Sequence, residues 1–212
     1  ILTGANGTFC AGADLKMMHG DQSENPWHAR FKADPDLHWR ALLRHHRPQV
    51  PVIAAVEGAA IGGGTEVLLG TDIRIAGEGA RFGVSEVRWG LFPLGGSTIR
   101  LGRQIPHAKA MDMLLTGRHV QADEAERMGL ITRLVPKGEA LMEAKKTATL
   151  IAENGPLAVQ GVKRSAWESQ GMTEAEALAQ ELKIGWPVHQ SEDGREGPRA
   201  FAEKRKPQFK GR

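Results

Sequence analysis

The sequence predicts an α/β fold, with a strand-and-turn core over residues 1 to about 137 followed by a helical region over 138–212. Three observations carry that prediction. Apolar, β-branched runs such as Val52-Ile-Ala-Ala-Val56 lead into glycine turns and then helix starts, the pattern of parallel strands covered on both faces. Beyond Pro136 the composition shifts to helix formers with few β-branched runs. With 41% hydrophobic residues in 212, there is enough apolar material for a core, and no period of about 20–50 residues marks a solenoid.

Ile1-Leu2 reads as the end of a buried strand, so the sequence is expected to begin inside its domain. The stretch Gly4–Asp14 reads as two tight turns around a short extended piece, with Asp14 capping a helix from Leu15. Residues 19–36 carry Pro26 and Pro35 without a clean period and predict a mobile, pocket-shaping loop held by Trp27 and Phe31. An amphipathic helix is expected over Leu37–Arg47, ended by Pro48 and Pro51. Then come strand Val52–Val56, a glycine loop over Gly58–Gly64, a helix through Leu69 and strand Asp72–Ala76. Turn glycines Gly77 and Gly79 precede Arg81–Glu86, and a helix starts near Ser97 after Gly95-Gly96. A short helix over Asp123–Gly129 and strand Leu130–Val135 close the core. Helices are expected at 138–153, 156–170, 173–184 and within 192–205.

Charge and cysteine content narrow the function. Lys and Arg total 28 against 25 Asp and Glu, a formal +3, too balanced for a dedicated nucleic-acid binder, while a phosphate-bearing small molecule stays open. The lone Cys10 cannot form an internal disulfide and no secretory cue is present, so a reducing, cytoplasmic setting is expected. No stretch approaches the roughly 18 consecutive apolar residues of a membrane helix.

Two glycine-rich elements and two acids carry the chemistry. Gly62-Gly63-Gly64 opening a helix exposes N–H groups at its positive end, an anion or oxyanion site, although glycines also serve close strand–helix packing. The triplet lacks the Lys-[Ser/Thr] of a phosphate-binding loop and the spacing of a dinucleotide fingerprint. Glu66 lies three residues past Gly63, about 4.5 Å further along the axis, so its carboxylate belongs to the same helix mouth; the dipole alone also favours an acid there. Glu86, among Val84, Val87 and Trp89, has an apolar setting that suits proton transfer if it is buried rather than on an exposed loop. His45-His46 within Arg44–Arg47 read as a solvated helix face, because adjacent histidines diverge on a helix and no further ligand spacing exists; no metal site is expected. Cys10 has no partnered His and reads as a small buried thiol.

Taken together, Phe9-Cys-Ala-Gly-Ala-Asp-Leu-Lys16, Gly58-Ala-Ala-Ile-Gly-Gly-Gly-Thr-Glu66, Phe82-Gly-Val-Ser-Glu86 and Gly90-Leu-Phe-Pro93 closely resemble the crotonase superfamily, specifically its enoyl-CoA hydratases. The resemblance covers essentially the whole chain, down to Ala200-Phe-Ala-Glu-Lys-Arg-Lys206. It implies a crotonase-like ββα spiral core, with a helical C-terminal region that assembles as a trimer or a dimer of trimers. The apolar residues Trp167, Leu178, Leu182 and Trp186 of these C-terminal helices need a surface to cover, consistent with such assembly. It further implies reversible addition of water across the 2,3 double bond of a 2-enoyl-CoA thioester to give 3-hydroxyacyl-CoA. Backbone N–H groups of Ala13 and Gly63 would form the oxyanion hole, Glu66 the general base and Glu86 the acid supplying the α-proton. Coenzyme A belongs to the substrate and no separate cofactor is implied; its contacts would come from Ala11, Ala13, Asp14, Leu15, Lys16 and Gly63. Phe201 and Lys204, spaced i, i+3 on the last helix and therefore on one face, would add a ring and an ammonium, against the plainer reading of a solvated basic tail. The family's adenine-binding segment is expected upstream of Ile1.

Retention of both glutamates favours hydration over Δ3,Δ2 double-bond isomerisation, over other acyl-CoA chemistry on this fold and over a catalytically silent scaffold. An RNA-binding relative would need a continuous basic face, for which Arg40–Arg47 is the one candidate. The segments Glu86–Pro93 and Glu196–Arg205 look most like actinobacterial hydratases, some acting on steroid side-chain thioesters, so fatty-acid or steroid side-chain β-oxidation is the expected setting.

Overall fold

The computed structural model describes residues 1–19 and 26–212, and the part of the expected 19–36 loop over residues 20–25 lies outside them. The chain divides into two compact units, residues 1–47 with 52–145, and residues 48–51 with 146–212.

In the first unit, β1 (Leu2–Thr3), β2 (Ile53–Val56), β4 (Ile73–Gly77) and β7 (Arg133–Val135) form an all-parallel sheet in the order β1-β2-β4-β7. Leu2 pairs with Ala54, Ile53 with Ile73 and Ile75 with Arg133. Every residue of β2 is buried, as a strand covered on both faces requires. A second sheet has β3 (Ala59–Ile61) parallel to β5 (Arg81–Gly83), which runs antiparallel to β6 (His119–Gln121). Helices α1 (Leu15–His19), α2 (His28–Ala33), α3 (Leu37–Ala41), α4 (Gly63–Leu68), α5 (Ser97–Gln104), α6 (His107–Thr116) and α7 (Ala122–Arg127) complete this part, with α8 (Ala140–Ala152) leading out of it. One apolar cluster, including Val56, Leu68, Phe82, Leu101, Met113 and Leu130, forms its core.

The second unit holds α9 (Pro156–Glu168), α10 (Glu174–Gln190) and α11 (Glu192–Ala202). Thr173 and Glu176 form a reciprocal capping box at the start of α10. Helix α9 meets α10 at Gly161, where an added Cβ would stand 3.2 Å from Val188 Cγ2.

Several expectations are corrected. Residues 28–33 are helix rather than loop, and Trp27 and Phe31 form a surface aromatic pair, half and about one-third exposed, with ring centroids 6.5 Å apart. Helix α3 stops at Ala41, because Leu43 takes a left-handed φ of 52° and the Leu43 and Arg44 carbonyls accept hydrogen bonds from Arg100 instead. The glycine loop hides β3, while α6 and β6 had no counterpart in the sequence reading. Helix α10 runs through Pro187, where one helical bond is lost but Ile184 and Val188 stay packed against α9.

Helix α4, which the chemistry depends on, is tied at both ends. Buried Thr65 Oγ1 accepts the Gly83 N–H at 3.1 Å and stands 2.6 Å from Ala60 O, joining α4 to β3 and β5. At the other end, buried Arg74 on β4 donates to Leu68 O at 3.1 Å and to Leu69 O at 3.4 Å, satisfying terminal carbonyls. Burial pushes the Arg74 guanidinium down to about 10. Thr65→Val keeps the shape but removes the hydroxyl's bonds to the Gly83 N–H and the Ala60 carbonyl, and is expected to cost about 1 kcal/mol in denaturant unfolding. An unchanged midpoint and slope would contradict this assignment.

Candidate active site

The sequence places two glycine turns far apart in number; the fold lays them side by side. Cys10 joins the edge of β3, with Cys10 N donating to Ala59 O and Ile61 N donating to Cys10 O, both at 2.9 Å. That pairing delivers Gly12, at φ +90°, against the start of α4. A Cβ on Gly12 would stand 2.9 Å from Ile61 O and 3.3 Å from Gly63 N, and one on Gly64 would stand 2.0 Å from Cys10 O. Only glycine permits these approaches. As the first residue of α4, Gly63 has an N–H with no intrahelical acceptor, and Ala13 follows Gly12 in the adjoining exposed turn.

Glu66 sits in the first turn of α4 and is only 4% exposed. A buried carboxylate needs compensation, and α5 supplies it. Ser97, the first residue of α5, donates to Glu66 Oε1 through both N–H (3.2 Å) and Oγ (2.9 Å). Gly95 makes room, since a Cβ there would stand 2.4 Å from Glu66 Oε2. Arg100, one turn further along α5, is buried; burial lowers its pKa and the Glu66 charge opposes that shift.

Glu86 opens the 3₁₀ turn Glu86–Trp89, with its carboxylate over the same glycine loop. A Cβ on Gly62 would stand 3.0 Å from Glu86 Oε1. Glu86 Oε2 is buried and has no hydrogen-bond partner among the described residues. Burial is the main force raising the Glu86 pKa, a backbone hydrogen bond lowers it, and the like charge of Glu66 raises it further. A native pKa above the unfolded value means that the stability this group contributes is full below the unfolded value and is lost as pH rises through the native one. Glu86→Gln is therefore expected to raise the melting temperature at neutral pH and to leave it unchanged near pH 4, about the value of an unperturbed carboxyl. Thermal unfolding of both proteins at the two pH values checks this; an equal shift at both would contradict it.

Glu66, Glu86, Gly12 and Gly63 thus meet at one helix mouth. Asp14 caps α1 as expected, with Oδ1 accepting from Lys16 N at 2.9 Å and from Met17 N at 3.3 Å. Ala11, Leu15 and Lys16 are exposed beside it. Phe201 is 87% exposed in the second unit, but it does not share a helical face with Lys204. Helix α11 ends at Ala202 and Lys204 takes φ +54°, because the bidentate Arg205–Glu196 pair draws the chain back along the helix. Sequence reasoning missed Ser97 and Gly95 as partners of Glu66, although Gly95-Gly96-Ser97 signalled the helix start. It also missed Leu42, whose Cδ2 would be 3.6 Å from a Cβ on Gly63.

Within 40–47, Arg40 pairs with Asp34, His45 meets Asp36 and Arg44 donates to Leu94 O. Among the described residues no His, Cys, Asp and Glu cluster could hold a metal ion, and no helix is long and apolar enough to cross a membrane.

Comparison with known proteins identifies the family. A family model described as enoyl-CoA hydratase/isomerase matches residues 1–212. The chain is 53% identical over 216 residues to the enoyl-CoA hydratase EchA19 of Mycobacterium tuberculosis, covering 100% of this chain and 79% of that protein. Among solved structures, the enoyl-CoA hydratase EchA1 of Mycobacterium marinum superposes with a TM-score of 0.85 at 40% identity, covering 100% of this chain and 80% of that one. An enoyl-CoA hydratase from Bacillus anthracis gives 0.88 at 36% identity, covering 99% and 80%. With its two carboxylates set at the glycine mouth of a fold these hydratases share, the chain belongs to the enoyl-CoA hydratase/isomerase family.

Proposed function

We propose that this protein is an enoyl-CoA hydratase that adds water reversibly across the 2,3 double bond of a 2-enoyl-CoA thioester. The observation that carries the reading is the pairing of Glu66 and Glu86 about the Gly62–Gly64 helix start. Water loses a proton to Glu66, its oxygen bonds to C3, and the π pair moves through C2 towards the thioester carbonyl. The resulting enolate oxygen takes hydrogen bonds from the Ala13 and Gly63 N–H groups, and losing one such donor typically costs about 10²–10³ in rate. Glu86 delivers a proton to C2, and exchange between the two acids and solvent resets the site. One contact and one effect of burial support the division of roles. Glu66 is held as an acceptor by Ser97, whereas burial favours the protonated form of Glu86.

In this reading Ala11, Ala13, Asp14, Leu15, Lys16 and Gly63 contact the coenzyme A portion, together with Phe201 and Lys204 of this or a neighbouring subunit. The protein is cytoplasmic, requires no separate cofactor and assembles as a homotrimer or a dimer of trimers. Exposed Leu178, Leu182 and Trp186 on α10 support a covered face. The acyl group is a fatty-acid or steroid side chain.

The test follows loss of the conjugated thioester's ultraviolet absorbance with short-chain, long-chain and steroid 2-enoyl-CoA substrates, beside Glu66→Gln and Glu86→Gln. Turnover by the parent that either substitution removes supports the reading. No turnover by a folded protein that binds CoA would overturn it.

A further inference from the structure

We propose that His119, acting through Ser85, is a positioning residue for Glu86: the turn Gly117–His119 clamps the 3₁₀ turn that carries this acid. The inference deepens the hydratase reading and rests on it.

Glu66 and Glu86 are held by different means. Glu66 is fixed directly by Ser97, whereas Glu86 Oε2 is buried with no partner among the described residues. The aim of the Glu86 carboxylate therefore depends on the backbone of its turn, and a group that fixes that backbone fixes the acid. Ser85 immediately precedes the turn and its carbonyl accepts the Arg88 N–H at 3.0 Å. Its hydroxyl lies 2.8 Å from His119 Nε2.

The contact is built across two strands. His119 on β6 stands opposite Gly83 on β5, and a Cβ on Gly83 would lie 2.5 Å from His119 Cδ2. The missing side chain lets the imidazole pass over the strand to Ser85. Two residues earlier, Gly117 ends α6 at φ +63°, and a Cβ there would stand 2.6 Å from Arg88 Cγ and 3.2 Å from Val87 Cγ2. Between the two grips, Arg118 is anchored to Asp112 (2.7 Å) and bidentately to Glu124 (2.9 and 2.6 Å). Burial, then Arg81 and Arg88, lower the His119 pKa, so the neutral ring exchanges one hydrogen bond with the hydroxyl in either tautomer.

The test measures hydration by His119→Ala, Ser85→Ala, the double variant, and His119→Ala in a Glu86→Gln background. Each single substitution is expected to lower kcat by roughly 10- to 100-fold with KM nearly unchanged, and the double variant by no more than either single. In the Glu86→Gln background His119→Ala should cost nothing further, which a general loss of structure would not produce. Should His119→Ala misfold, Ser85→Ala, which removes one hydroxyl, carries the same comparison with the Glu86→Gln background. An unchanged kcat, additive losses, or an equal loss in the Glu86→Gln background would overturn the inference while the hydratase reading stands. An inert parent enzyme would overturn both.

Discussion

Glu66→Gln is expected to lower kcat for enoyl-CoA hydration by about 10²–10⁴-fold, the range a positioned general base contributes. The amide is isosteric, and its oxygen can keep both bonds from Ser97, so the melting temperature should move little. What is lost is the capacity to take a proton from water, since an amide oxygen is far too weak a base. The outcome separates chemistry from scaffolding: Glu66 could be buried at 4% exposure merely to join α4 to α5, and then the substitution would leave turnover intact. Steady-state kinetics beside thermal unfolding read both effects from one preparation.

The second large effect is steric. Gly64→Ala would set a methyl 2.0 Å from Cys10 O and 2.9 Å from Cys10 C, and neither atom belongs to a flexible side chain that can swing away. Relief requires the Phe9–Gly12 segment to leave the edge of β3, breaking the Cys10–Ala59 and Ile61–Cys10 hydrogen bonds. Overpacking of a tight site costs roughly 1–3 kcal/mol, and two displaced backbone hydrogen bonds add about 1 kcal/mol each. A fall in unfolding free energy of about 3–5 kcal/mol is therefore expected, with loss of turnover because the Ala13 and Gly63 N–H groups part. Denaturant unfolding checks the first and the hydration assay the second. A Gly64→Ala protein with parental stability would mean that the two turns do not meet as described.

The parts of the site that were legible in the sequence are those written in local chemistry. A glycine triplet before a helix, an acid one turn in, and an apolar stretch around Glu86 each declare themselves within a few residues. Asp14 as a cap on α1 was readable for the same reason. What stayed hidden depends on distance in sequence. Ser97 serves Glu66 across 31 positions, and His119 meets Ser85 across 34, so no window contains either pair. Strand β3 is three residues long inside a glycine run, and its extended form comes from pairing with β5 and with Cys10 rather than from propensity. The end of α11 was misread because Phe201 to Lys204 looks helical locally, while the Arg205–Glu196 pair reverses the chain. Helix α10 outruns the expected end at 184, since its packing against α9 carries it past Pro187, a residue that usually ends a helix.

The most direct test of the account is the mass of the product formed from a 2-enoyl-CoA thioester by the parent protein, beside its Glu66→Gln and Glu86→Gln variants. Addition of water predicts a product heavier than the substrate by one water, incorporating heavy oxygen from labelled solvent, and lost when either glutamate is replaced. A product of unchanged mass would assign the site to double-bond migration, and water addition that survives both substitutions would contradict the roles given to Glu66 and Glu86.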